Sequence, residues 1–219
     1  MEEARLKLGR MENPVRGFLH GTAAVAALVA TIALMLRATT VTGMLAGLVF
    51  GVGLVAVYVT SSLYHSIPWG PRNKVRMQRA DHAMIFVLIA GTYTPVAAAL
   101  GGRLALLTLL VAWSIAITGI LQHLAFPRHD QRLSIALATT MGWLAVAILW
   151  PMAQAGGPAA VILIAVGGVF YTVGMVFMVT RRPRLWPRVF SAHELFHVFV
   201  IVGSTCHFAA NYRYFLPLA

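Results

Sequence analysis

The sequence predicts an all-α membrane protein with seven transmembrane helices, its N-terminus cytoplasmic and its C-terminus extracytoplasmic. Three observations carry that prediction. Of the 219 residues, 59% are hydrophobic and only 11% charged, and the mean hydropathy is +0.80, far from the balance of a soluble chain. The apolar residues form long continuous runs without the two-residue alternation of a membrane barrel, and a helix is the structure that satisfies its own backbone groups in hydrocarbon. Of the 17 Lys and Arg residues, fourteen fall in the tail and in alternate connections and three in the others, which is the positive-inside pattern.

Apolar runs bounded by charge, Pro or Gly place the spans at about Gly17 to Leu36, Thr42 to Ser66, Arg79 to Leu100, Arg103 to His123, Leu133 to Ala153, Pro158 to Val179 and Phe190 to Asn211. At roughly 20 residues per span, seven use about 140 residues, and the remaining stretches are too short for a second soluble domain. The chain therefore reads as one seven-helix membrane domain, 1–219, with a short cytoplasmic tail over 1–16.

The first span follows Arg5, Lys7, Arg10 and Arg16. Its apolar run is longer than a signal peptide's, and its removal would spoil the odd helix count, so it reads as a retained helix. On the second, Gly43, Gly47 and Gly51 recur every four residues and bring one face close to a neighbour. That face reads as packing inside the bundle, with an oligomer through it as the alternative. The third follows Arg72, Lys74, Arg76 and Arg79 and contains Pro95, which is expected to kink it. The fourth and fifth flank a loop with Arg128, His129, Asp130 and Arg132, and the sixth and seventh flank Arg181, Arg182, Arg184 and Arg188.

Only Arg37, Arg103 and Arg213 lie on the other side. The net charge of +11 is thus spread over loops rather than gathered in one patch, and it reads as topology rather than nucleic-acid binding. The single cysteine, Cys206, excludes a disulfide framework.

Six acidic residues narrow the search for chemistry. Glu2, Glu3 and Glu12 lie in the tail and Asp130 in a basic loop, which leaves Asp81 and Glu194 at the starts of the third and seventh helices, where ionisable groups are costly and functional by default. The topology puts three ends at one depth: Ser61 to His65 closing the second helix, Asp81 and His82 opening the third, and His193 to His197 opening the seventh. His193 and His197 are one turn apart on one face, and His65 joins them at the same level. Three histidines beside a carboxylate, without a thiolate cluster, describe an open zinc site with a position left for water.

A hydrogen-bonded polar cluster locking helices two, three and seven is the plainer alternative. His20, His123, His129 and His207 read as satisfied or solvated histidines, and His82, about 100° around the helix from Asp81, as packing or support. His193-Glu194-Leu195-Phe196-His197 also satisfies His-Glu-x-x-His, in which the Glu is the general base of a zinc protease. Against that reading, Asp81 and His65 already offer a base and a third ligand. Glu194 is then expected to pair with Arg188 or Arg79.

The run Ser61-Ser62-Leu63-Tyr64-His65, the segment from Asp81-His82 through Ala90-Gly91-Thr92-Tyr93-Thr94-Pro95, and the run His193-Glu194-Leu195-Phe196-His197-Val198-Phe199-Val200 resemble the bacterial hemolysin III family. That family is related to the progestin and adipoQ receptors and, more distantly, to the alkaline ceramidases. The resemblance spans nearly the whole chain. It implies a zinc ion held by His65, His193 and His197, an aspartate matching Asp81 that contacts the metal's water, and a serine matching Ser61.

On this basis the expected function is zinc-dependent hydrolysis of a lipid amide or ester from within the inner leaflet, with a membrane lipid as substrate or ligand and no nucleic-acid partner. Asp81 is the expected general base and Ser61 orients it or the water. The expected location is the cell membrane, in bacteria the inner membrane. The alternatives are a cytolysin-like or sensor protein braced by structural zinc, a proton or ion pathway, and an intramembrane metalloprotease.

Overall fold

The computed structural model describes residues 7–126, 130–186 and 188–219. Glu2, Glu3, Arg5, Arg128 and His129, assigned above to the tail and a loop, lie outside the described residues. The chain folds as helices α1 (Pro14–Arg37), α2 (Val41–Ser66), α3 (Pro71–Leu100), α4 (Gly102–Leu124) and α5 (Gln131–Trp143). A 3₁₀ stretch, Leu144–Ile148, leads into α6 (Leu149–Thr180), followed by α7 (Ala192–Ala210) and a closing π-turn, Asn211–Phe215. Among the described residues there are only isolated β-bridges, Leu8 with Met11 and Trp186 with Phe190.

Among the described residues, six helices are long and apolar enough to cross a membrane. One of the six is a 50-residue path, Gln131–Thr180, which at 1.5 Å per residue would measure about 75 Å, more than twice a hydrocarbon core of roughly 30 Å. It is interrupted at Gly157, whose φ of 80° and ψ of 171° are non-helical and open to glycine because it has no Cβ. Pro158 then starts the next helical stretch, in keeping with the break read from the sequence between Ala153 and Pro158.

Two starts differ from the sequence reading. α3 begins at Pro71 rather than Arg79, because Pro71 suits the first helical turn and the residues after it include good helix formers. The basic run Arg72, Lys74 and Arg76 is therefore helix, not loop. α1 begins at Pro14, so Arg16, read as the end of the tail, lies inside a helix and is 8% exposed. α3 continues through Pro95 to Leu100.

Close helix packing follows from the small residues. A Cβ at Gly47 would approach the Leu34 carbonyl to 3.2 Å, and one at Gly43 would approach the Ala219 carbonyl to 2.9 Å. Thr31 fills the space at Gly51. The small-residue face of α2 is thus filled by the chain's own α1 and C-terminus, the packing role read for it. Two buried clusters result, one around Phe50, Leu34 and Tyr58 in α1 and α2 with α7, and one around Phe86, Met141 and Met152 in α3 to α6 with Phe215 of the closing π-turn.

Candidate metal centre

α2 ends and α7 begins at the same end of the bundle, and the histidines meet there. His65 lies in the last turn of α2, while His193 and His197 lie one turn apart at the start of α7. The ring centroids of His65 and His193 are 5.0 Å apart, those of His65 and His197 5.0 Å, and those of His193 and His197 4.9 Å. One nitrogen from each falls within 4.8 Å of the other two. His65 and His197 are buried at 3% and 2% exposure, and His193 is half-buried.

The donor set fits a metal ion on the structure's own terms. Nδ1 of His197 is buried with no hydrogen-bond partner among the described residues, a costly state for a polar atom that is not otherwise engaged. Three imidazoles without a thiolate are a borderline-soft set that can hold one divalent ion.

Ser61 sits one turn before His65 on α2, and its side chain lies beside the Asp81 carboxyl from α3. Both are buried, at 3% and 9% exposure. Of the polar groups that the sequence places at one depth, the three histidines are gathered in space.

Glu194, the middle of the His-Glu-x-x-His run, is committed elsewhere. Its Oε1 accepts a 2.6 Å hydrogen bond from Arg16 Nε, and its Oε2 accepts a 2.9 Å bond from the Ser191 backbone N–H. Glu194 is thus an acidic residue in the first turn of α7, where the free N–H groups and the helix dipole favour it. The sequence reading named Arg188 or Arg79 as a partner; Arg16, which looked like one more tail charge, is a partner it did not name.

His20 was also missed. It is 3% exposed, and its ring stacks on His197 at 3.9 Å with planes 15° apart, while Tyr58 meets its edge at 5.1 Å. The signal available in the sequence was its depth near the inner end of the first span, which by itself does not separate contact from coincidence.

His82, His123 and His207 make contacts of their own. His82 faces His123 across 5.3 Å, and His123 Nε2 lies 3.1 Å from the Ser134 hydroxyl. His207 Nε2 bonds the Ile164 carbonyl at 3.2 Å, three turns along α7 from the cluster.

The fold and this site define a class: multi-pass helical membrane proteins with a buried three-histidine cluster at one end of the bundle. The chain belongs to the haemolysin-III related family, whose model matches residues 9–208. It is 32% identical to Hemolysin-3 of Bacillus cereus over 212 residues, covering 95% of this chain and 94% of that protein. It is 34% identical to the Hemolysin-3 homolog of Bacillus subtilis (strain 168) over 161 residues, 73% of this chain and 72% of the other. Similarity extends to the human monocyte to macrophage differentiation factor, at 23% identity over 171 residues, 76% of this chain and 68% of that protein.

Proposed function

We propose that this protein is a zinc-dependent hydrolase of a membrane lipid amide or ester. The observation that carries the reading is the convergence of His65, His193 and His197 inside a membrane bundle; the buried Asp81 beside Ser61 supplies the candidate base. Zinc is the ion that suits three imidazoles with a position left open, and when bound it supplies a Lewis acid for the scissile carbonyl and makes water nucleophilic near neutral pH.

The chain's own residues do the rest. The Asp81 carboxylate accepts the proton released as water oxygen bonds to the carbonyl carbon, and returns it to the leaving nitrogen or oxygen as the C–N or C–O bond breaks. The Ser61 hydroxyl donates to Asp81 and keeps the carboxylate aimed, a role outside the reacting atoms. Glu194 already accepts one hydrogen bond on each oxygen, from Arg16 and the Ser191 N–H, which argues against a protease base. The apolar outer faces, with residues such as Leu36 and Trp150 exposed, suit a substrate that stays in the bilayer.

The same reading takes the interruption at Gly157 as a boundary between two spans. That gives one domain of seven spans, with the N-terminus and the histidine end cytoplasmic, in the inner membrane if the protein is bacterial. The fourteen-to-three distribution of basic residues supports this orientation.

Metal analysis combined with lipid products measured on wild type and Asp81→Ala tests the function. One zinc per chain, with turnover of a lipid amide or ester that Asp81→Ala abolishes, is the expected result. The name Hemolysin-3 attaches lysis to the Bacillus cereus relative, so dye leakage from the same liposomes is measured in parallel. Leakage without any hydrolysis, unchanged in Asp81→Ala, would replace the hydrolase by a membrane-integrity role.

A further inference from the structure

The three histidines come from two helices that scarcely touch at the level of their backbones, since α1 packs along α2 and also reaches α7 while α2 and α7 have few backbone neighbours in common. What joins them is the start of α1 and its lead-in. The Asn13 N–H donates to the His65 carbonyl at 3.0 Å and the Glu12 N–H to the Ser66 carbonyl at 3.3 Å. These are two of the last carbonyls of α2, which have no acceptor role left inside the helix. The Ser62 hydroxyl donates to the Gly17 carbonyl at 2.8 Å, and Glu12 pairs with Lys74 of α3.

One turn on, the same helix serves the other ligand-bearing end. Arg16 holds Glu194, and the two side chains are 10% and 2% exposed. His20, a further turn along, lies flat against the His197 ring. A single stretch of chain thus caps the C-terminal end of α2 through its backbone, neutralises the first turn of α7 through its guanidinium, and supports one ligand ring with an aromatic plane.

We propose that Glu12–His20 is the positioning element of the metal centre, with Arg16 and His20 as positioning residues that set the spacing of His65 against His193 and His197. The inference rests on the metal-centre reading above and deepens it. It explains why Glu194 sits between the two histidines of α7: it is the handle by which α1 fixes that helix end, not a base. Groups that orient ligands from behind in this way characteristically change metal affinity by 10–100-fold when removed.

The test is zinc affinity of the purified full-length protein, measured by chelator competition, with the Co²⁺ visible spectrum reporting ligand geometry and thermal unfolding of the metal-stripped protein reporting the fold. Arg16→Ala is expected to weaken zinc about 10–100-fold and to alter the Co²⁺ spectrum, and Arg16→Lys to recover part of the loss. His20→Ala is expected to weaken zinc and His20→Phe, which keeps the plane, to restore it, so the His20 pair still decides if Arg16→Ala does not fold. Wild-type affinity and spectrum in both alanine variants overturn the positioning role alone. No zinc bound by wild type overturns the metal centre and this proposal with it. A loss in Arg16→Ala that Arg16→Lys does not relieve, together with equal losses in His20→Ala and His20→Phe, also overturns it.

Discussion

Asp81→Asn separates proton transfer from every other property of the site. The carboxamide has nearly the shape of the carboxylate and can still accept the Ser61 hydroxyl's hydrogen bond, so the buried pair stays satisfied. The three histidines are expected to keep their geometry, because none of the bonds described above that position them involves Asp81. What is lost is a group able to take a proton at the reacting centre, and such assistance contributes about 10²–10⁴-fold, or about 2.7–5.4 kcal/mol at 1.36 kcal/mol per decade.

Ser61→Ala provides the scale for a positioning effect on the same carboxylate. Removing one hydrogen bond to a charged, buried group costs about 1.5–3 kcal/mol, which corresponds to roughly 10–150-fold if it is expressed fully in the transition state. The assay is lipid hydrolysis by protein in detergent or liposomes, followed by mass spectrometry of the products, with bound zinc measured on each sample. Zinc is expected near one per chain in both variants, with Asp81→Asn the slower. Turnover by Asp81→Asn within about threefold of wild type would refute the general-base assignment, and if Glu194→Gln abolished it at the same time the protease-like chemistry would return.

His65→Ala, His193→Ala and His197→Ala are each expected to lose most bound zinc, while His207→Ala, whose ring bonds the Ile164 carbonyl instead, is expected to keep it; metal analysis checks this, and equal loss in His207→Ala counts against the assignment. Single cysteines placed after each span in a Cys206-free background are expected to label in the alternating order of seven crossings, and a cytoplasmic C-terminus sinks the topology. Gly119→Val is expected to destabilise the bundle by about 1–3 kcal/mol, since a Cβ there would collide with the Phe86 ring; thermal unfolding in detergent reads it, and an unchanged midpoint would show that Phe86 has room to move. Tyr93→Phe removes the hydroxyl that donates to the Met141 carbonyl at 2.7 Å and is expected to cost about 1 kcal/mol by the same measurement.

The residues that carry chemistry were legible because membranes make charge expensive. Asp81 and Glu194 stood out in a chain with six acids, and once hydropathy and basic loops had ordered the helix ends by depth, His65, His193 and His197 could be grouped without knowing a single contact. Depth, however, is one coordinate. It says which groups share a level and nothing about which helix lies beside which, so Arg16 and His20, at the same level, were indistinguishable from a tail charge and a solvated histidine. Helix ends were obscured for a related reason: a basic run such as Arg72 to Arg79 breaks a hydropathy window but not a helix, and Pro71 starts one.

The partner of Glu194 follows from the same limit. Arg188 and Arg79 were nearer by sequence or by loop, and nothing in the sequence showed that a carboxylate in the first turn of α7 also takes a guanidinium 178 residues away, on the helix α1 that packs along α2 and reaches α7. That arrangement favours one of the two readings of His-Glu-x-x-His. A general base must have a lone pair facing the metal's water, whereas Glu194 spends one oxygen on Arg16 and the other on the Ser191 N–H. The base proposed in its place is Asp81, which lies beside Ser61 of the helix that also supplies His65.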